Sequence, residues 1–273
     1  MKSIMLSQNN DTFINFYIMV SNLTREQKNV INKIEKQHKN CKINFIDMGN
    51  QFKEFKLPIN IWTTANYYRI RLPEILKDVK KIIYFDTDTL IYKDLTKLYN
   101  YDIEGKYFIG MPENKEEDFY ILNNVSFNNF INTGVILCNL EELRKGNISS
   151  KMIEYISKNN NKTKYPVNDP TNLLTHQKNG YFTPEYVVIG FCNREEASMY
   201  YDKSKLAINK TLVEKSYEDP YVLHYIIYFK PWIAIPNNNG LVCIDSITRF
   251  YEIARKTSYY YEILKKFPIY INI

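Results

Sequence analysis

Ile82-Ile83-Tyr84-Phe85-Asp86-Thr87-Asp88-Thr89-Leu90 is an apolar strand that runs directly into two carboxylates one residue apart. Carboxylates at i and i+2 of a continuing strand share a face, and where the strand breaks into a turn both can converge on one hard cation. At the carboxyl end of a buried strand they also lie where open α/β sheets bind ligands. A bare Asp-x-Asp is more often an Asx-rich turn that closes a strand, because so short a motif recurs by chance. The flanking sequence has to decide between the two.

Upstream, Thr63 to Leu76 reads as a helix interrupted or bent near Pro73, preceded by strands at Phe13 to Val20 and Ile43 to Met48. Between those strands Thr24 opens a helix, with Gln27 completing a capping box and Val30, Ile31 and Ile34 forming an apolar stripe. Downstream, Tyr107 to Met111 and Gly134 to Asn139 are short apolar strands, and helices are expected around Leu140 to Arg144 and Ser149 to Ser157. Alternating strands and helices argue for an α/β fold with a mainly parallel sheet covered on both faces. Pro112 to Phe130 is charged and lacks periodicity, as expected of a surface excursion or lid. Tyr165 to Asn172 reads as a loop before a short helix at about Leu173 to Gln177. This order places Asp86, a turn at Asn132 and the Asp169 loop on one rim, where long loops build sites.

The 273 residues carry 45% hydrophobic and 15% aromatic side chains, which excludes disorder and allows one large domain. A net charge of +6 suits an anionic partner, but the bases are spread along the chain, so nucleic acid is not expected. Cys41, Cys138, Cys192 and Cys243 form no C-x-x-C pair and read as buried thiols of a reducing compartment. The N-terminus is too polar for a signal peptide and no run of eighteen apolar residues occurs, which points to a soluble, cytoplasmic protein. The basic and aromatic stretch from Arg249 to Phe267 has two readings: an amphipathic helix packed on its own domain, or a peripheral contact with the inner face of a membrane.

These segments together resemble the retaining glycosyltransferases of family 8, the bacterial lipopolysaccharide glycosyltransferases and their glycogenin-like relatives. Tyr67 to Leu76 resembles the family's helix before the metal strand, and Ile82 to Leu90 its Asp-x-Asp strand. Phe130-Ile131-Asn132-Thr133-Gly134 and the following apolar strand match a later segment, and His224-Tyr225-Ile226-Ile227-Tyr228-Phe229-Lys230-Pro231-Trp232 matches the late His-x5-Lys-Pro-Trp. The resemblance implies a GT-A fold over residues 1–245, with 246–273 a helical extension. It also implies transfer of a hexose from a UDP-sugar to a saccharide or lipid-linked saccharide acceptor, with Mn²⁺ or Mg²⁺ as cofactor. Asp86, Asp88 and His224 are the implied metal ligands. Lys230 is expected on the diphosphate and Arg69 near the phosphates or donor sugar, with Arg71 as its rival. Asn132 and Thr133 are expected on sugar hydroxyls, and Asn168 and Asp169 near the reacting carbon.

Three departures from the family pattern set the alternatives. The family's Asp-Gln-Asp loop appears as Val167-Asn168-Asp169-Pro170-Thr171-Asn172, and in either alignment frame one functional group is lost. Ile227 stands where a glycine is expected. Ser3 to Asn10 resembles the end of the family's first helix, so the first strand is expected to lie upstream of Met1. A catalytically impaired nucleotide-sugar or glycan binder of the same fold is the alternative function. A phosphatase of the haloacid dehalogenase type fits Phe85-Asp86-Thr87-Asp88-Thr89-Leu90 but lacks its later metal segment.

Overall fold

The computed structural model describes residues 1–55, 57, 63–113, 130–159, 165–189, 210–226, 230–232 and 244–266. Most of the expected lid, together with Ile227, Cys192 and Cys243, lies outside the described residues. The chain divides into two compact units that interleave in sequence. One comprises Met1–Gln8, Phe85–Leu95 and Phe182–Ile273; the other comprises Asn9–Tyr84 and Thr96–Tyr181.

The second unit opens with β1 (Ile14–Val20), α2 (Arg25–Gln37) and β2 (Cys41–Asp47), the two strands pairing in parallel from Ile14 with Cys41 to Val20 with Asp47. Both bonds of the expected capping box are present, Gln27 N–H to Thr24 Oγ1 and Thr24 N–H to Gln27 Oε1. The expected helix over Thr63 to Leu76 is broken in three: α3 (Ala65–Tyr68), a 3-10 turn (Arg69–Arg71) and α4 (Leu72–Ile75). The break precedes Pro73 because proline has no N–H to offer the Arg69 carbonyl, which accepts instead from Leu72 N–H in a tighter turn.

A four-stranded sheet follows in the order β3 (Lys81–Phe85), β6 (Ile131–Asn139), β5 (Phe108–Pro112), β7 (Asn179–Tyr181). Its pairing is mixed, β5 running antiparallel to β6 and parallel to β7. Strand β6 begins three residues earlier than Gly134, so Asn132-Thr133-Gly134 is no turn leading into a strand. Gly110 pairs with Ile136 but Met111 pairs with Asn132, so the intervening residues of β6 bulge out of the ladder. Gly110 permits this, since a Cβ there would meet the Asn132 carbonyl oxygen at 3.0 Å.

Helices α5 (Thr96–Tyr99), α6 (Leu140–Lys145), α7 (Ile148–Lys158) and α8 (Asn168–Thr175) complete this unit. Its core joins Tyr67, Ile70, Leu72, Phe108, Ile136, Leu140 and Met152, all buried. Arg144 of α6 donates to the carbonyls of Pro73, Leu76 and Val79, each at 3.1 Å, and thereby closes the exposed end of α4 just before β3 begins. Helix α8 starts at Asn168 rather than beyond Asn172. Pro170 falls in its first turn, where a missing N–H costs nothing.

The first unit contains α1 (Lys2–Ser7), β4 (Thr89–Ile91), β8 (Val187–Ile189), α9 (Lys210–Glu218), β9 (Val222–His224), α10 (Ile244–Ala254) and α11 (Tyr260–Lys266). Its strands run in the order β4-β9-β8, antiparallel then parallel. Helix α1 is tied to β4 and the residues after it: Ser3 Oγ accepts from Ile91 N–H and Gln8 Oε1 from Leu95 N–H. Tyr251 and Ala254 on α10 are buried, and the Phe250 ring lies 5.4 Å from that of Trp232. This is the packing of an amphipathic helix on its own unit. Among the described residues no helix is long and apolar enough to cross a membrane.

Candidate active site

The Asp-x-Asp segment lies in the turn between β3 and β4, and hydrogen bonds fix its shape. Thr89 Oγ1 donates to the Asp86 carbonyl at 2.9 Å, folding the turn back on itself. On its far side, β4 pairs antiparallel with β9, with Thr89 opposite His224, and Tyr225 N–H extends the pairing to the Asp88 carbonyl at 2.8 Å. The ladder register thus delivers the histidine to the carboxylates. His224 Nε2 lies 3.4 Å from Asp88 Oδ1 and 3.9 Å from Asp86 Oδ2.

One ligand atom from each of Asp86, Asp88 and His224 can be chosen so that all three lie within 4.8 Å of one another. Neighbouring ligands of an octahedral ion with bonds near 2.1 Å are about 3 Å apart, so small side-chain adjustments would close this set on one cation. Two carboxylates and one imidazole form a largely hard donor set of the kind that suits a divalent cation. The residues fit a divalent cation for a further reason. Asp88 Oδ1 is buried and, beyond His224 Nε2 at 3.4 Å, meets no polar partner among the described residues, and His224 Nδ1 is likewise buried without a hydrogen bond among them. An orphaned carboxylate oxygen is costly unless a cation or solvent reaches it.

Asp88 Oδ2 accepts from Lys230 Nζ at 2.6 Å. Burial alone would raise the Asp88 carboxyl. The nearby His224 imidazole and the hydrogen bond and charge of Lys230 outweigh it and bring the group down to about 2. Asp88 is therefore an ionised carboxylate engaged by the Lys230 ammonium. The expected members Asp86, Asp88, His224 and Lys230 are brought together within the first unit.

The remaining expected site residues belong to the second unit and form a cluster of their own. Arg69 Nη1 donates to the Thr133 carbonyl at 2.7 Å and Nε to the Asn66 carbonyl at 3.3 Å, while its guanidinium lies 4.2 Å from the Tyr84 ring centroid. Its rival Arg71 is committed elsewhere, to Glu74 at 2.6 Å and to the face of Phe52. Asn132 Oδ1 accepts from Gly134 N–H at 3.0 Å, which shapes the bulge. Thr133 is buried at 6% exposure.

Asp169 is only 1% exposed, and its Oδ2 accepts from Tyr165 N–H at 2.9 Å across the start of α8. Asn168 is half-buried; its Nδ2 donates to Glu113 Oε2, and its Oδ1 accepts from Asn172 Nδ2 at 2.8 Å. Asn172, fully buried, also grips Ile131 at both backbone groups, each at 2.8 Å. This clamp holds Asn168 and the start of β6 in fixed relation. Glu113 and Asn172 were not expected to participate. Glu113 sits in a charged run that carries no periodic signal, and a single Asn in an Asn-rich chain gives no sign of burial.

The sequence profile described as "Glycosyl transferase family 8" matches residues 1–235. The chain belongs to glycosyl transferase family 8. A Haemophilus influenzae protein provisionally named a glycosyltransferase is 31% identical over 170 residues, covering 60% of this chain and 51% of its own length. General stress protein A of Bacillus subtilis is 28% identical over 199 residues, covering 70% and 66%. The chain thus spans about half to two thirds of the length of these curated relatives. Among solved structures, the galactosyltransferase LgtC in complex with donor and acceptor sugar analogs superposes with a TM-score of 0.74 at 20% identity, covering 94% of this chain and 90% of LgtC. The bifunctional glycosyltransferase WbbM gives a TM-score of 0.75 at 17% identity, covering 97% of this chain and 48% of WbbM. The fold is that of the GT-A glycosyltransferases.

Within the first unit the ladder between β4 and β9 brings Asp86, Asp88 and His224 together. In the second unit α8 begins with a buried Asp169 that serves the backbone and a half-buried Asn168.

Proposed function

We propose that this chain transfers a hexose from a UDP-sugar to a saccharide or lipid-linked saccharide acceptor with retention of the anomeric configuration. The acceptor class would be lipopolysaccharide or another cell-surface glycan. The observation that carries this reading is the convergence of Asp86, Asp88 and His224, with Lys230 beside them, in a member of family 8. Asp86, Asp88 and His224 would hold Mn²⁺ or Mg²⁺. A divalent ion bound there would neutralise charge developing on a departing nucleoside diphosphate.

Lys230 adds a point charge for the same diphosphate, on a stem flexible enough to follow it. Asn132 and Thr133 are the proposed contacts for donor-sugar hydroxyls, and Arg69 holds that bulge from behind through the Thr133 carbonyl. Of the pair in α8, Asn168 is better disposed to reach a sugar than Asp169, whose carboxylate is buried against Tyr165 N–H. With the Asp169 carboxylate turned to the backbone and the Glu113 carboxylate engaged by Asn168, attack by the acceptor from the face the leaving group vacates is the route we propose. Release of UDP from UDP-glucose and UDP-galactose with Mn²⁺ present is the test. Turnover with either donor supports the reading; absence of both hydrolysis and transfer removes it.

The burial of Asp169 also favours a second reading, a nucleotide-sugar or glycan binder with impaired catalysis. Metal-dependent UDP binding without turnover would select it.

A further inference from the structure

Lys230 Nζ lies 2.6 Å from Asp88 Oδ2, with the lysine side chain 28% and the aspartate side chain 14% exposed. The other carboxylate oxygen of Asp88 faces His224 Nε2 at 3.4 Å. The ammonium also stands 5.9 Å from the centroid of the Trp232 ring, two residues on along the same short segment. An ammonium therefore occupies half of the carboxylate that a divalent ion would need. We propose that Lys230 is the resident cation of the metal-free site, so that metal entry and release of Lys230 toward a diphosphate are one coupled event.

The electrostatics require the exchange. A divalent ion on Asp88 and an ammonium 2.6 Å from the same carboxylate repel one another in a poorly hydrated setting. Once the ion is bound, Asp88 no longer compensates Lys230 fully, and an anionic diphosphate is the partner that restores balance. Conversely, while Asp88 holds the ammonium, a nucleotide arriving without metal finds its cationic contact already engaged. Metal binding thus prepares Lys230 for the nucleotide, and the reciprocity of linkage demands that the nucleotide tighten the metal by the same factor. This inference rests on the metal site proposed above for Asp86, Asp88 and His224.

The test compares the wild type with Lys230→Met and Lys230→Arg in two binding measurements. One titrates Mn²⁺ alone, with free ion read by electron paramagnetic resonance; the other titrates UDP at saturating Mn²⁺ by calorimetry. Lys230→Met should bind Mn²⁺ about fivefold or more tighter and UDP about fivefold or more weaker, within the usual range of coupling between sites. Lys230→Arg, which keeps a cation, should show no gain for Mn²⁺. Equal or weaker Mn²⁺ binding by Lys230→Met overturns the proposal while leaving the metal site standing. Absence of Mn²⁺ binding by the wild type overturns both. A third measurement needs no variant: acetylation of Lys230 in the wild type, followed by peptide mass spectrometry, should quicken with Mn²⁺ and slow again on adding UDP. A rate indifferent to Mn²⁺ contradicts the exchange.

Discussion

Thr89 and His224 face each other across the antiparallel pair β4 and β9, and this single register position carries the imidazole to Asp86 and Asp88. A slip of one residue would turn the histidine to the other face of the sheet. The candidate metal site is therefore a property of strand pairing as much as of its ligands. Substitutions that disturb the ladder should weaken the site without touching a ligand. Leu90→Pro, which removes an N–H that the alternation of the ladder directs at β9, should lower Mn²⁺ affinity by at least the roughly 10–100-fold typical of lost supporting contacts, measured by Mn²⁺ titration.

The low carboxyl of Asp88 makes a prediction with a definite sign. Its value of about 2 lies below the ordinary carboxylate range, so it contributes stability above that range and loses it as pH falls toward 2. Asparagine mimics the protonated acid. With EDTA present, Asp88→Asn should melt below the wild type by a constant margin from pH 5 to pH 8, and the margin should narrow below about pH 4. Melting curves at pH 7, 5 and 3 decide it; a margin that widens on acidification contradicts the assignment.

Arg69 supports the Asn132 bulge through a planar group that meets both the Thr133 carbonyl and the Tyr84 ring. Lysine preserves the charge but not that geometry. Arg69→Lys should therefore lose nearly as much kcat/KM as Arg69→Ala, up to roughly 100-fold if the bulge shifts by an ångström. Steady-state kinetics with the donor that proves active would check it. Full rescue by lysine would mean that charge alone matters.

Asn172 and Arg144 yield stability predictions that need no substrate. Asn172→Ala strands the buried N–H and carbonyl of Ile131 and should cost about 2–4 kcal/mol. Arg144→Met removes hydrogen bonds to three carbonyls behind α4 and should cost about 2–3 kcal/mol. Urea denaturation would read both.

The sequence was most legible where local chemistry is strong. The Thr24 capping box, the apolar strands and the break near Pro73 all follow from propensities that act within a few residues. It was less legible where tertiary contacts set the outcome. Asn132-Thr133-Gly134 reads as a turn, yet the ladder with β5 draws it into a strand and expels a bulge. Pro166 and Pro170 read as loop residues, but a proline in a first helical turn is compatible with α8, so Asp169 becomes a buried helix-start residue. The Asp86 and Asp88 pair was legible from the strand end, whereas its meeting with His224 was legible only through resemblance, because nothing local to His224 announces its partner strand. Nor did composition reveal that Lys230 would hold Asp88, since lysines are common along this chain.

The most direct test of the metal-centred site is UDP binding measured by calorimetry with and without Mn²⁺, in the wild type and in Asp88→Asn. The expected result is that Mn²⁺ strengthens UDP binding by the wild type within the 5–150-fold range usual for coupled sites and has no effect on Asp88→Asn. UDP binding that is the same with and without Mn²⁺ in the wild type would contradict it.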